Sequence, residues 1–209
     1  MKSTITMFKK ALIYGAMAFG FFTTSNVQSQ SICSGAMAYG CGNRYGYCGD
    51  IDAVTVKNSQ GTVLATFSGL QCNTATTYRG ILNQGTPFDL TAGEEITIEI
   101  TGTEWSGYYT RPGVWMDVNL DMSYQKDECV VNPGSNTIGS SMQSFKVKVP
   151  CFNKAGSSYM RVRGCMTAYS MTANQGCGSV NGYGNLFDLE VNYKVGATPV
   201  ADFIIPTGP

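Results

Sequence analysis

After Ile51 the chain carries short runs in which apolar and polar residues alternate one by one, split by Gly, Asn and Pro. In EEITIEI, Ile96, Ile98 and Ile100 alternate with Glu95, Thr97 and Glu99, and in FKVKV, Phe145, Val147 and Val149 alternate with Lys146 and Lys148. In YMRVRGC, Met160 and Val162 alternate with Arg161 and Arg163. In LFDLEVNYKV, Phe187, Leu189, Val191 and Tyr193 alternate with Asp188, Glu190, Asn192 and Lys194. A period of two with one apolar face predicts half-buried antiparallel strands. IDAVTVK, TVLATF and GVWMDVN complete the set, and no segment keeps a helical period. Many short strands separated by Gly, Asn and Pro predict an all-β fold, two antiparallel sheets face to face in an immunoglobulin-like or jelly-roll-like β-sandwich. On this pattern Trp115, Arg161 and Arg163 point outward, the arginines as sheet-surface charges facing Glu or Asp across the ladder.

The two ends break the pattern. Lys9 and Lys10 precede the apolar run ALIYGAMAFGFF, followed by TTSNVQSQ with Val27 and Ser29 at −3 and −1 of a cleavage site. Residues 1–29 therefore read as a secretory signal peptide, with an apolar core too short to be a good membrane span. Residues 30–195 form the β-sandwich body. Residues 196–209, GATPVADFIIPTGP after Val195, bring prolines and a new apolar burst, as a linker and the opening of a truncated further module would.

Charge and cysteine usage follow from that division. Lys2, Lys9 and Lys10 leave with the signal, so eleven basic residues face fourteen acidic ones in the mature chain. That balance offers no electropositive field for nucleic acid, and no apolar stretch of the mature chain has spanning length. Cys33, Cys41, Cys48, Cys72, Cys129, Cys151, Cys165 and Cys177 all lie in the mature part. An even number in an exported chain predicts disulfides, and the spacing offers no C-x2-C zinc pair. Spacing does not determine connectivity, and Cys165 with Cys177 is the expected local bridge. The chain has no histidine, which removes Ser-His-Asp, Cys-His and HExxH chemistry. The scattered carboxylates form no evident acid/base pair, so the body reads as non-catalytic.

One stretch carries candidate chemistry. In VWMDVNLDMSYQKDE, Asp117, Asn119 and Asp121 form D-x-N-x-D, and Glu128 is the twelfth residue counted from Asp117. Loops that wrap Ca²⁺ place oxygen ligands at positions 1, 3 and 5, a backbone carbonyl at 7 and a carboxylate at 12. Asp117, Asn119, Asp121, Ser123 (through its carbonyl) and Glu128 fit those slots. Met122 stands where the sharp turn prefers glycine. A solvated turn at a strand end is the alternative reading.

These residues, with SYMRVRGC, GCGSV and GYGNLFDLEVNY, resemble the GEVED domain of secreted bacterial multidomain proteins of the Bacteroidetes type. The resemblance spans roughly Cys33 to Tyr193. It rests on W-x-D-x-N-x-D at Trp115 to Asp121, on M-R-V-R at Met160 to Arg163, and on the Gly184 and Asp188 that survive from the naming motif. Both glutamates of that motif are replaced, and Met122-Ser123 stands for Gly-Asp. The resemblance implies a β-sandwich module of an exported protein, and fewer charged ligands for any cation the family holds. TPVADFIIPTGP resembles the start of a PKD-like domain, which implies a multidomain parent.

EWSGYYTRPGVW places Trp105, Tyr108, Tyr109 and Arg111 in one loop, where aromatics beside a planar cation stack on sugar rings or anchor a protein partner. The expected function is a non-catalytic extracellular module of a bacterial surface or secreted protein, serving adhesion through a glycan or protein ligand, with Ca²⁺ as its candidate ion. The alternative is an accessory domain of a secreted peptidase or glycosidase whose catalytic part lies outside this chain.

Overall fold

A computed structural model describes residues 32–39, 49–70, 78–82, 86–104 and 106–196. The expectations for the signal peptide, for the PKD-like start, for Cys41, Cys48 and Cys72, and for Trp105 lie outside the described residues. No helix among those residues is long and apolar enough to cross a membrane.

The fold is all-β, with every alternating run found as a strand. The first sheet is wholly antiparallel: β3 (Val63–Phe67), β2 (Ile51–Lys57), β6 (Glu95–Gly102) and β9 (Gln143–Lys148), in that order. The second runs through β12 (Leu186–Lys194), β10 (Gly156–Met166), β7 (Thr110–Met116) and β8 (Cys129–Val131), again antiparallel. β4 (Tyr78–Leu82) and β5 (Phe88–Thr91) lie along β12 in parallel. β1 (Gly35–Met37) pairs with β11 (Gly178–Val180), also in parallel, as a third small sheet. These parallel pairings add to the expected antiparallel sheets, and side-chain alternation, being the same in both directions, carries no sign of them.

The two large sheets close on one core. Ile96, Ile98 and Ile100 of β6 and Val54 and Val56 of β2 meet Val114, Met116, Met160, Val162, Phe187, Leu189 and Val191 of the second sheet. Each such side chain, fully removed from water, contributes on the order of 1.5–3 kcal/mol.

The outer face of the second sheet is also covered. Met37, Trp115, Tyr124, Cys165, Met171 and Val180 form a second buried cluster there, under β1, β11 and the chain before them. Trp115, expected outward, does point away from the main core, yet it is fully buried and its Nε1–H donates to the Ala173 carbonyl at 2.8 Å. The indole lies over Gly113, where a Cβ would come within 2.5 Å of its Cη2, so a side chain at 113 would displace the tryptophan.

Arg161 and Arg163 are likewise corrected from surface charges to buried ones, at 1% and 0% exposure. The cross-strand acid expected opposite them is present: Arg161 pairs with Asp188 in the β10–β12 register. Burial of the pair comes from the covering layer, which has no periodicity to announce it.

Cysteine pairing is corrected too. Cys177 bonds to Cys33, with Cα atoms 5.7 Å apart, because the parallel β1–β11 pairing sets Gly35 beside Gly178. Cys165 instead sits buried on β10, packed in the second cluster. Cys129 and Cys151 carry free thiols.

Candidate functional site

Three regions hold the sequence's candidate residues: the acidic loop after β7, the polar layer between the second sheet and its cover, and a tyrosine-rich end.

The acidic loop forms where β7 stops at Met116. Asp117 is fully buried, and its Oδ1 accepts the Asp121 N–H at 3.0 Å. Its Oδ2 accepts the Met122 N–H at 3.0 Å and the Ser158 hydroxyl. Asp121 accepts the Ser123 N–H at 2.8 Å and the side-chain amides of Asn119 and Gln125, both at 3.0 Å. Glu128, 3% exposed at the end of a 3₁₀ turn (Lys126–Glu128), reaches back to the N–H groups of Gln125 at 3.0 Å and Val118 at 3.1 Å. Met122 adopts φ +62°, the left-handed conformation for which glycine is the expected residue, and Leu120 does the same.

Burial pushes the Glu128 carboxyl up to about 7, with the charge of Asp117 adding to the effect. Burial also raises Asp117, against the hydrogen bonds that hold its charged form.

The five residues predicted as ligands are thus gathered into one loop. Among the described residues no three acidic, thiol or imidazole side chains group as a metal site. The oxygens are chemically suited to Ca²⁺. However, the negative charge of each carboxylate is met by protein N–H and O–H donors that close the turn. As folded, the loop fits a hydrogen-bonded turn better than a cation cage.

The polar layer is a network around Asp188. Arg161 Nε and Nη2 donate to its two oxygens at 2.8 Å each, a bidentate pair, and the Tyr124 hydroxyl donates at 2.9 Å. The Arg161 guanidinium also lies 4.5 Å from the centroid of the Tyr124 ring. Arg163 donates to the carbonyls of Gln175, Ala36 and Gly178, which ties β1 and β11 to β10. Burial pulls its pKa down to about 10, and the neighbouring Arg161 charge lowers it further. The Arg and Asp of the motif-matching strands are therefore buried structural partners. Gly184, also kept from that motif, takes φ +151° with its α-carbon against the Gly164 carbonyl, where a Cβ would collide.

The tyrosine-rich end lies where β10 finishes. Tyr108 and Tyr109, predicted as ligand residues, are 40% and 43% exposed. Tyr109 exchanges hydrogen bonds with Thr167, its N–H to the hydroxyl at 3.1 Å and its carbonyl to the Thr167 N–H at 2.9 Å. Arg111, the other predicted cation, is half-buried and donates to the Thr167 carbonyl at 3.3 Å.

Sequence reasoning missed three further tyrosines. Tyr39, 50% exposed, lies 5.4 Å from Tyr169 and 5.5 Å from Tyr183, ring centroid to centroid, and Tyr169 and Tyr183 are 5.9 Å apart. Met166 N–H bonds to the Tyr183 carbonyl, one residue before Thr167 bonds to Tyr109, so both groups frame the same end of β10. The only sequence signal was local tyrosine and glycine richness, without spacing to join segments so far apart.

Residues 112–192, from β7 to β12, match the family model of the GEVED domain, which supports the resemblance drawn from the motifs. No match is found among curated proteins.

Proposed function

We propose that this chain is a non-catalytic recognition module, exported to the cell surface or the medium, that binds a glycan or protein ligand through its tyrosine-rich end. The observation that carries the reading is the exposure of Tyr39, Tyr108 and Tyr109, between 40% and 50% each, with the Tyr109 backbone pinned to Thr167, which also accepts from the half-buried Arg111, and the Tyr39 N–H bonded to the Gly182 carbonyl. Aromatic rings held at the surface by hydrogen-bonded backbone lose little entropy on binding and offer faces for sugar stacking or protein contact. A non-catalytic role is supported by the state of the two carboxylates whose protonated form burial favours. Asp117 and Glu128 are sealed from solvent and saturated with backbone donors, so a substrate has no path to them. Export is supported by the cysteine bridge and by the leader-like first residues.

The test is a glycan array probed with the full chain and with Tyr39→Ala and Tyr109→Ala. The expected result is a bound glycan class whose affinity falls roughly tenfold or more in either variant, at unchanged melting temperature. Binding that survives both substitutions would move the site elsewhere. Silence across the array would remove the glycan arm of the proposal and leave a protein ligand.

A further inference from the structure

At the edge of the covering layer, Tyr159 of β10 faces Glu190 of β12 across the ladder. Alternation puts both on the sheet face that also bears Arg161 and Asp188, but here the cover ends and the two side chains are only half-buried. A pocket of about 140 Å³ opens beside them, lined by Pro87, Met122, Ser157, Ser158, Tyr159 and Glu190. Its apolar walls come from opposite flanks. Pro87 leads into β5, on the far side of β12, and Met122 belongs to the loop that follows β7, on the far side of β10. Met122 Sδ lies 3.8 Å from the Ser158 hydroxyl, so the left-handed backbone at 122 holds a side chain that glycine would not supply to this wall.

Among the described residues, no hydrogen bond or ion pair meets the Glu190 carboxylate. The cations of the two strands are engaged elsewhere: Arg161 with Asp188, Arg163 with backbone carbonyls, and Lys194 with Asp89. Burial raises the Tyr159 phenol above its ordinary range, and the Glu190 and Asp188 charges add to the rise, so the ring stays neutral. A half-buried carboxylate without a counter-ion has lost part of its hydration, and a cation entering the pocket would make that loss good. We propose that this pocket binds the primary ammonium of an unbranched alkyl chain, the group carried by a lysine side chain or a free alkylamine. Glu190 takes the charge, the Tyr159 ring offers its electron-rich face, and Met122 and Pro87 pack along the methylene stem. An apolar cavity of about 150 Å³ accepts a molecule of benzene's size, so this one has room for an ammonium and its short stem. A single carboxylate leaves a divalent metal ion with too little charge among its ligands, which favours the monovalent organic cation.

The site is separate from the tyrosine-rich end. About 25 Å of extended β10 backbone, at roughly 3.3 Å per residue, divides Tyr159 from Thr167. Loss of either site therefore leaves the other standing.

The test is an amide-resolved NMR titration of the full chain with three probes: n-butylammonium, lysine capped as its acetyl methylamide, and norleucine capped in the same way. The expected result is saturable shifts at Met122, Tyr159 and Glu190 from the charged probes, with Kd on the order of 1 mM, and none from the neutral norleucine. Glu190→Gln should weaken binding roughly tenfold, and Met122→Gly roughly threefold, with no fall in melting temperature in either. Tyr109→Ala should leave the affinity unchanged. Capped lysine binding at least as tightly as butylammonium would support a protein lysine as the source, and butylammonium binding alone would support a free amine. Equal binding of norleucine, full affinity in Glu190→Gln, or the absence of saturable shifts at these residues would overturn the proposal.

Discussion

Asp188 and Leu189 are neighbours on β12, fully buried on opposite faces of one sheet. Leu189 enters a core closed by apolar contact alone, among residues such as Met160 and Phe187. Asp188 enters a layer closed by a bidentate arginine and a tyrosine hydroxyl. The apolar face tolerates any side chain of similar volume, because dispersion and hydration are not directional. The polar face holds only while every charge keeps its partner, since an ion left alone in a dry site has lost its water without compensation. One sheet thus has two buried faces with opposite rules for substitution.

The sharpest way to break that comparison is to remove one partner from the polar face. Asp188→Ala leaves the Arg161 charge buried and is expected to cost about 3–5 kcal/mol in urea unfolding. The paired replacement Arg161→Met with Asp188→Leu should return most of that loss, because it removes both ions together. On the other face, Leu189→Ala should cost about 3 kcal/mol by cavity formation, with no rescue from any change at Arg161. If Asp188→Ala cost under about 1 kcal/mol, the polar layer would be wet in solution and the contrast would fail.

How far the sequence foresaw this differs between the faces. Alternation placed Ile98, Val162 and Leu189 correctly, because a side chain that must leave water imposes its period on the chain. It also set Arg161 opposite an acid. Nothing in the spacing said that both would be dry, since the cover over them comes from β1 and the segment around Met171 and Val180, which have no period of their own. The acidic loop was legible as a constellation: Asp117, Asn119, Asp121 and Glu128 do meet in one turn. Whether their oxygens converge on an ion or on the loop's own N–H groups depends on torsions that residue spacing does not encode. Tyr39, Tyr169 and Tyr183 were illegible for a third reason. They meet only after the sheets close.

The acidic loop sharpens the comparison through pH, to which the apolar core is indifferent. Glu128 is held at about 7 in the folded protein against 4.5 for the free side chain. Between those values the folded chain binds more protons than the unfolded one, so stability falls as pH rises. The contribution is fully present below about pH 4.5 and lost through about pH 7, and amounts to about 3 kcal/mol at most. Asp117, raised in the same direction, adds to the trend. Melting temperature should therefore decline from pH 5 to pH 8, and Glu128→Gln should flatten the decline. A rise over that window would mean that the two carboxylates are ionised and well stabilised when folded.

The smallest expected effect lies one residue beyond Asp121. Met122 carries φ +62°, a conformation that costs a side chain about 1 kcal/mol, while glycine there loses part of the gain to its freer unfolded chain. Met122→Gly should thus stabilise by roughly 0.5 kcal/mol, about 1–2 °C in melting temperature. The same measurement with about 2 mM Ca²⁺ against excess EDTA should differ by less than about 1 °C, because the carboxylates are already occupied by N–H donors. A Ca²⁺-dependent rise of about 4–7 °C, abolished by Asp121→Ala, would reverse that reading. The polar layer would then close at this end around an ion, and the glycine variant, by restoring the preferred residue at the sixth position of the loop, should raise the ion's affinity as well as the melting temperature.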